Sequence, residues 1–425
     1  MPHLHKALSL AAIIDDPNFY RHFNLILTSK MLTNSIREHY QIKPIKSDWK
    51  EYELKNGYGS KVLIDKENIL QKFIMDNSDK GNISYREIDY NVQLTSDFKI
   101  ISKTGKSKGL SYSALEKIKP ANKYLRISSN SIDLYNYDNN INILFDYNLS
   151  LKGAKDVTEY LEKRIKNTNQ FEKEEFEKYI STKKQKRQII KSGDIFRIKL
   201  CNRQFAYGRV IFDLDKFRNY KPAFISELNV GFRDSLIFDK VLVTPSLIDF
   251  YLFKTDNPYL NPKDFDALKT TPSIIKNSEL IKNNTFQIIG NTAIDLSSFD
   301  IPMDWETYYQ YKPISHLFKW GAGIKTFEPV KRLEKLTELT YPMNYNPINL
   351  GAVEEFDGFL TSCLSGTPNF KYVSTNGDLR EPLFSEVREI ISKNINFNID
   401  KNEYDKFANQ FGFMTKAEIL TFTQS

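Results

Sequence analysis

The 425-residue chain is poor in cysteine, histidine and tryptophan, with two, five and three residues respectively. Two cysteines, Cys201 and Cys363, form at most one disulfide bond, which excludes the disulfide framework of a small secreted domain. No apolar run reaches the length of about 18 residues that a transmembrane helix needs. The apolar stretch at 6–14 is followed at once by Asp15, Asp16 and Pro17 instead of a small-residue cleavage site. We therefore expect no membrane segment, and a bacterial cytoplasmic protein.

Positive charge is in modest excess, with 60 Lys and Arg against 53 Asp and Glu and a net charge of +7. This density excludes a histone-like binder of nucleic acid. The surplus is uneven, because residues 1–150 carry +4, residues 151–192 carry +5, residues 193–340 carry +2 and residues 341–425 carry −4. The basic run 183–187 contacts an anionic partner or is the solvated end of a helix or linker. The absence of interleaved aromatics favours the second reading.

Apolar periodicity predicts an α+β fold made of four consecutive regions. Residues 1–150 are expected to form an N-terminal α+β domain with a β-meander. Residues 151–190 are expected to form a basic helical connector, with a candidate break at 167–169. Residues 191–330 are expected to form a small antiparallel β-sheet or barrel, and residues 331–425 a helical extension that packs on it.

Individual elements follow from the same patterns. Predicted strands lie at 62–64, 92–94, 98–101, 124–127, 131–135, 141–145, 195–200, 205–212, 235–238, 241–243 and 285–290. Predicted helices lie at 4–40, 153–183, 330–339, 382–391, 401–411 and 416–422.

Sequence signatures of common catalytic sites are absent. The chain has no phosphate-binding G-x-x-x-x-G-K-[ST], no G-x-G-x-x-G, no H-E-x-x-H and no G-x-S-x-G. His3 and His5 have no cysteine beside them with which to complete a zinc site. We expect a chain that is not an enzyme and holds no cofactor or metal. One catalytic alternative stays open, a metal-dependent nuclease built on carboxylates such as Asp213 and Asp215, which share one side of a predicted strand.

One stretch has a distinctive arrangement of glycines and aromatics. Gly193 and Asp194 precede the strand 195–200, and glycine there supplies backbone freedom for a tight turn. Tyr207-Gly208-Arg209 lies in the return strand, where the missing Cβ lets another group approach closely. Gly290 and Gly321 end two later apolar runs. We treat these four glycines and Asp194 as structural motif residues.

This stretch resembles the opening hairpin of the Immunity protein 26 family of bacterial polymorphic-toxin systems. That family tends to begin with "GD-(I/V)-F-x-I-x-L … (F/Y)-x-(Y/F)-G-(R/Q)-V". Farther on, residues 286–290 resemble its "x-I-I-G" strand, residues 298–302 its "x-x-(D/E)-x-P" piece, and residues 319–323 its terminal "W-G" strand. The resemblance covers about residues 190–325, so roughly 190 residues before it and 100 after it have no counterpart in the compact family domain.

The resemblance implies a non-catalytic immunity protein whose partner is a cognate toxin domain. Large aromatics and arginine anchor many interfaces. The candidate partner-binding residues are Tyr207, Arg209, Arg233, Trp305, Tyr308, Tyr309 and Trp320, together with the acidic residues Glu354, Glu355 and Asp357. The alternative for each aromatic and arginine is burial within its own domain. Inhibitors of nucleases present acidic surface, so in this basic chain either the acid is local or the toxin is not a cationic nuclease.

A second class of function stays open. Under this alternative the chain is a nucleic-acid-associated protein, such as a phage-defence component, that binds nucleic acid through the basic connector and the β-rich domain. Binding driven by phosphate contacts falls steeply with salt, so a salt titration separates the two hypotheses.

Overall fold

The structure is a computed structural model that describes residues 31–424, apart from 55–58, 80, 102–104, 119–122, 137–140, 182–185, 201–202, 221–244, 266, 284, 309–314, 338–352 and 370–377. The chain divides into two compact units, Met1–Gln185 and Lys186–Ser425. Both units combine helices with antiparallel sheets, which confirms the α+β prediction. The helix expected from residue 4 and the strands expected at 235–238 and 241–243 lie partly or wholly outside the described residues.

The N-terminal unit contains a seven-stranded antiparallel sheet. Its strands, with a hairpin inserted after the fourth, are β1 (Lys50–Glu53), β2 (Ser60–Ile64), β3 (Ile69–Asp76), β4 (Ser84–Gln93), β5 (Lys99–Ile101), β6 (Ser107–Gly109), β7 (Lys123–Ser128), β8 (Ser131–Asn136) and β9 (Ile141–Tyr147). The sheet order is β1-β2-β3-β4-β7-β8-β9, a meander in which β5 and β6 form a separate pair. The sequence predicted a meander, but it did not predict β1, β3, β6 or most of β4.

Helices cover one face of this sheet. They are α1 (Asn34–His39), α3 (Ala154–Lys166) and α4 (Gln170–Ser181), while the short α2 (Tyr112–Leu115) lies between β6 and β7 in the chain. Ile36 of α1 and Val157 and Leu161 of α3 join the sheet side chains in one apolar core. The break predicted at 167–169 separates α3 from α4, and Arg164 of α3 pairs with Asp146 of β9 at 2.8 Å and with Glu172 of α4 at 2.9 Å.

A buried network of charges lies under α1. Arg37 donates two hydrogen bonds to Glu87, at 2.9 and 3.0 Å, and Lys72 bonds both Glu87, at 2.6 Å, and Asp89. The Tyr85 hydroxyl donates to Glu87 at 2.5 Å. Burial alone would raise the pKa of Glu87, but Lys72 and Arg37 lower it to about 2. Charges that point into the core explain why the apolar pattern did not predict β3 and β4.

The C-terminal unit contains two antiparallel sheets. Its strands are β10 (Asp194–Lys199), β11 (Phe205–Asp213), β12 (Pro245–Phe250), β13 (Ile274–Asn277), β14 (Gln287–Asn291), β15 (Met303–Tyr308), β16 (Ser315–Trp320) and β17 (Gly323–Phe327). The first five form a sheet of order β13-β12-β11-β10-β14, and the last three form a second sheet of order β15-β16-β17. The described strands close no barrel, so the small β-domain is an open sheet.

Helices complete the C-terminal unit. They are α5 (Glu279–Lys282), α6 (Lys331–Thr337), α7 (Val353–Leu364), α8 (Ser385–Ile395), α9 (Tyr404–Phe411) and α10 (Lys416–Gln424). Phe356, Phe359 and Leu360 of α7 pack on one face of the five-stranded sheet. The other face shares a core with the three-stranded sheet and with α8, α9 and α10. The sequence predicted α6 and α8–α10 but not α7.

The substitution Glu87→Gln tests the buried network. It leaves Arg37 and Lys72 short of a buried negative charge, so we expect the N-terminal unit to lose about 3–5 kcal/mol of unfolding free energy. The loss is full above the ordinary carboxyl pKa of 4.5 and shrinks as the pH falls toward 2, where Glu87 itself becomes protonated. Hydrogen exchange of the β3 and β4 amides measures this free energy unit by unit.

The matched control is Glu51→Gln, which breaks the partly exposed pair with Lys61 at 2.9 Å. A partly exposed pair is worth about 0–1 kcal/mol. Equal effects of the two substitutions would contradict a structural role for the Glu87 network.

Candidate partner-binding site

The β10–β11 hairpin begins with a constrained turn. Gly193 has φ +87°, a left-handed conformation that favours glycine, and a Cβ there would lie 2.0 Å from the carbonyl oxygen of Thr292. Asp194 accepts hydrogen bonds from the Lys191 amide at 2.7 Å and from Asn291 at 2.8 Å. Burial raises the pKa of Asp194. The turn therefore ties the start of β10 to the end of β14.

Two other glycines permit close packing around the same sheet. A Cβ on Gly208 would lie 2.4 Å from the Phe196 ring, and one on Gly290 would lie 2.1 Å from Pro262. Gly321 has φ +58° in the turn between β16 and β17, where a Cβ would meet the Tyr404 ring at 2.8 Å. The motif glycines thus occupy positions at which a side chain does not fit.

Tyr207 is fully buried in β11, so its side chain is not part of the surface. Its ring contacts the rings of Phe253 and Phe265, with centroids 5.8 and 5.0 Å away. Its hydroxyl donates to the carbonyl of Asn257 at 2.9 Å. The residue therefore fixes the segment that follows β12, which we call the anchored loop (residues 252–270).

The anchored loop is held by further contacts to the sheet. Arg197 of β10 donates to the carbonyl of Pro258 at 2.7 Å, and the ring of Pro262 lies against Gly290. Tyr259 lies between these anchors and Leu268 follows them, and their exposed fractions are 57% and 42%. An exposed tyrosine on a fixed backbone is typical of an interface anchor. Neither side chain was among the contact residues predicted from the sequence. Pro258 and Pro262, which flank Tyr259, do indicate a loop there.

Arg209 and Asp249 form a buried ion pair across β11 and β12. The guanidinium donates to the carboxylate at 2.8 Å and to the Ser298 hydroxyl at 3.3 Å. Burial raises the pKa of Asp249 despite the neighbouring arginine. Arg209 is 8% exposed, and its ion pair with Asp249 joins two strands of the sheet.

Both tryptophans among the expected contact residues are also buried. Trp320 is fully inaccessible, packs on Phe407 and donates through its indole nitrogen to the carbonyl of Ile301 at 3.1 Å. Trp305 belongs to the same core and is 7% exposed. The side chain of Tyr308 is not among those described, and Arg233 and Tyr309 lie outside the described residues.

The acidic cluster on α7 pairs with lysines of the same unit. Glu355 lies 3.9 Å from Lys276 of β13, and Asp357 forms an ion pair with Lys254 of the anchored loop. The side chain of Glu354 is not among those described. Glu355 and Asp357 therefore join α7 to the sheet and the loop.

The expected basic run is only partly described. Lys183, Lys184 and Gln185 lie outside the described residues, whereas Lys186 and Arg187 are exposed. Arg187 pairs with Glu279 of α5 at 2.6 Å. The final arginine of the run is therefore already matched by a carboxylate.

Two observations on the described part of the chain concern metal binding and thiol chemistry. Those residues contain no group of three or more His, Cys, Asp or Glu that could hold a metal ion. Burial raises the pKa of Cys363 to about 11, which keeps its thiol protonated at neutral pH. Cys201, His3 and His5 lie outside the described residues. No helix in the described segments has the length and apolar character to cross a membrane.

One segment of the chain matches a known protein family. Residues 191–310 match the model of the family Immunity protein 26, which confirms the resemblance over less than a third of the chain. The match begins just before the Gly193 turn and includes the five-stranded sheet and the anchored loop. No curated protein and no solved structure matches the chain.

The close packing at Gly208 predicts a specific sensitivity. We expect Gly208→Ala to lower the unfolding free energy of the C-terminal unit by about 1–3 kcal/mol, because the new methyl group collides with the Phe196 ring. Gly109→Ala in β6 is the matched control, since no atom lies within 4 Å of its Cβ position. Hydrogen exchange of the local amides reports both changes, and equal effects would contradict the packing explanation.

Proposed function

We propose that the chain is a non-catalytic immunity protein that binds and neutralises a cognate bacterial toxin in the cytoplasm. The match of residues 191–310 to an immunity-protein family carries this proposal. The buried sheet supports it physically, because the sheet forms a rigid base for an exposed loop. Inhibition by binding needs such a surface and no catalytic group.

The anchored loop is the docking surface that the geometry favours. Tyr207, Arg197 and Pro262 hold its backbone, so little conformational freedom is lost when a partner binds. Tyr259 and Leu268 supply exposed apolar area on this loop. Arg233, Tyr308, Tyr309 and Glu354 also remain candidate contacts of the same partner.

Charge favours a toxin whose docking surface is not strongly basic. The exposed charges of the loop are balanced, with Asp256 and Asp264 against Lys263 and Lys269. Glu355 and Asp357 already pair with lysines. The described part of the loop therefore lacks the acidic excess that an inhibitor of a cationic nuclease presents.

Co-expression with each candidate toxin domain encoded by a neighbouring gene tests the proposal. We expect host cells to survive only when the chain is present, and the two proteins to elute as a stoichiometric complex. Survival of a strain that lacks this gene but keeps the active toxin would contradict an immunity role.

Tyr259→Ala tests the docking surface once that complex is in hand. Truncating an interface anchor costs about 2 kcal/mol or more, so we expect the dissociation constant to rise by at least about 30-fold. Leu268→Ala is compared with Leu383→Ala, which removes the same exposed side chain outside the matched segment. Unchanged affinity in both loop variants would exclude the loop while leaving the immunity function intact.

A further inference from the structure

The second face of the N-terminal sheet carries a group of polar and aromatic side chains. Along β4, β7 and β8 the burial alternates, so that every second residue points away from the helix-covered core. We call these residues the open face: Arg86, Ile88, Tyr124, Arg126, Asp133, Tyr135 and Phe145. Arg126 is exposed and the other six are partly exposed. Ile88 packs against a neighbouring apolar core that includes Ile100 of β5 and Leu115 of α2.

The strand register arranges the open face in two rows. In the first row Arg86 of β4 is paired with Arg126 of β7, which is followed by Asp133 of β8 and Phe145 of β9. In the second row Ile88 is paired with Tyr124, which in turn is paired with Tyr135. Neighbouring strands lie about 4.8 Å apart and the rows about 6.7 Å apart, so arginines and aromatics share one small area.

The facing arginines point to an anionic ligand. Like charges placed directly opposite on neighbouring strands destabilise a sheet, and a bound anion removes that repulsion. Arg86 contacts the Tyr112 hydroxyl at 3.5 Å, and Asp133 next to Arg126 is the acidic residue of the open face. Two arginines against one aspartate give the seven residues of the open face a net positive charge, and Glu116 beside them hydrogen-bonds the side chain of Tyr112.

The aromatic rings narrow the class of ligand. Sheets that bind single-stranded nucleic acid stack bases on exposed aromatic rings and hold phosphates with arginine. Tyr124 and Tyr135 are adjacent across two strands, and Phe145 follows in the neighbouring row. We propose that the open face binds single-stranded nucleic acid, with bases stacked on Tyr124, Tyr135 and Phe145 and phosphates at Arg86 and Arg126. This activity is separate from toxin neutralisation, because it uses the other unit.

Fluorescence anisotropy of the full chain with a labelled oligonucleotide tests this proposal. We expect single strands of DNA or RNA to bind at low ionic strength and the annealed duplex of the same sequence to bind more weakly, since its bases are not available for stacking. Two neutralised phosphates predict a slope of about −1.4 for the logarithm of affinity against the logarithm of salt concentration. Absence of binding at low salt would overturn the proposal.

Variants separate stacking from charge. We expect Tyr124→Ala and Tyr135→Ala to weaken binding by about tenfold each, while Tyr124→Phe keeps the ring and retains most of the affinity. Arg126→Glu is expected to abolish measurable binding, whereas Lys173→Glu, the same charge change at an exposed position of α4, leaves it nearly unchanged.

Poly-glutamate serves as the competing ligand. If poly-glutamate binds and its binding depends on Arg126 but not on Tyr124, the ligand is an acidic protein and the nucleic-acid proposal is overturned. Circular dichroism spectra confirm that each variant is folded, and an effect of Lys173→Glu equal to that of Arg126→Glu would also overturn the proposal.

Discussion

A β-sheet has two faces, and the cost of exposing apolar side chains requires each face to be covered or to be polar. In the C-terminal unit, α7 covers one face of the five-stranded sheet, and the other face shares its core with a second sheet and the last helices. In the N-terminal unit, helices cover one face, whereas on the other a second core with β5 and α2 covers part of β1–β4. The β4–β7–β8 part of that face carries arginines and tyrosines. The two units therefore differ in their accessible surface: the C-terminal unit exposes a loop, and the N-terminal unit exposes part of a sheet face.

Buried residues hold the exposed loop of the C-terminal unit in place. Tyr207 and Arg209 have the residue types of interface anchors, but both lie inside the sheet. A buried tyrosine hydroxyl needs a hydrogen-bond partner, and Tyr207 finds one on the backbone of the anchored loop. The same aromatic content that suggested a contact surface therefore sets the position of a neighbouring surface. Residue type alone did not distinguish these two roles.

Local signals predicted a large part of the fold. The hairpin 195–212, the break at 167–169 and the last three helices follow from periodicity and turn residues that act over short distances. The strands around Lys72 and Glu87 escaped prediction because charges that pair only in the folded state interrupt the apolar pattern. Phe356, Phe359 and Leu360 have the spacing of one helix face, but Glu354, Glu355 and Asp357 around them interrupt the apolar pattern. Arg86 and Arg126 are paired because of the strand register, and a local sequence pattern does not specify register.

The packing of Trp320 has a consequence for the order in which the chain folds during synthesis. Its indole lies against Tyr404 and Phe407, and the same core includes Ile419. The three-stranded sheet therefore stays unshielded on the ribosome for about a hundred residues after Trp320 has been made. All described elements of the first unit are complete by Ser181, so that unit is able to fold while the second is still being translated. Strand β11 waits longer still, because Phe212 belongs to the same core and is made about two hundred residues before Ile419.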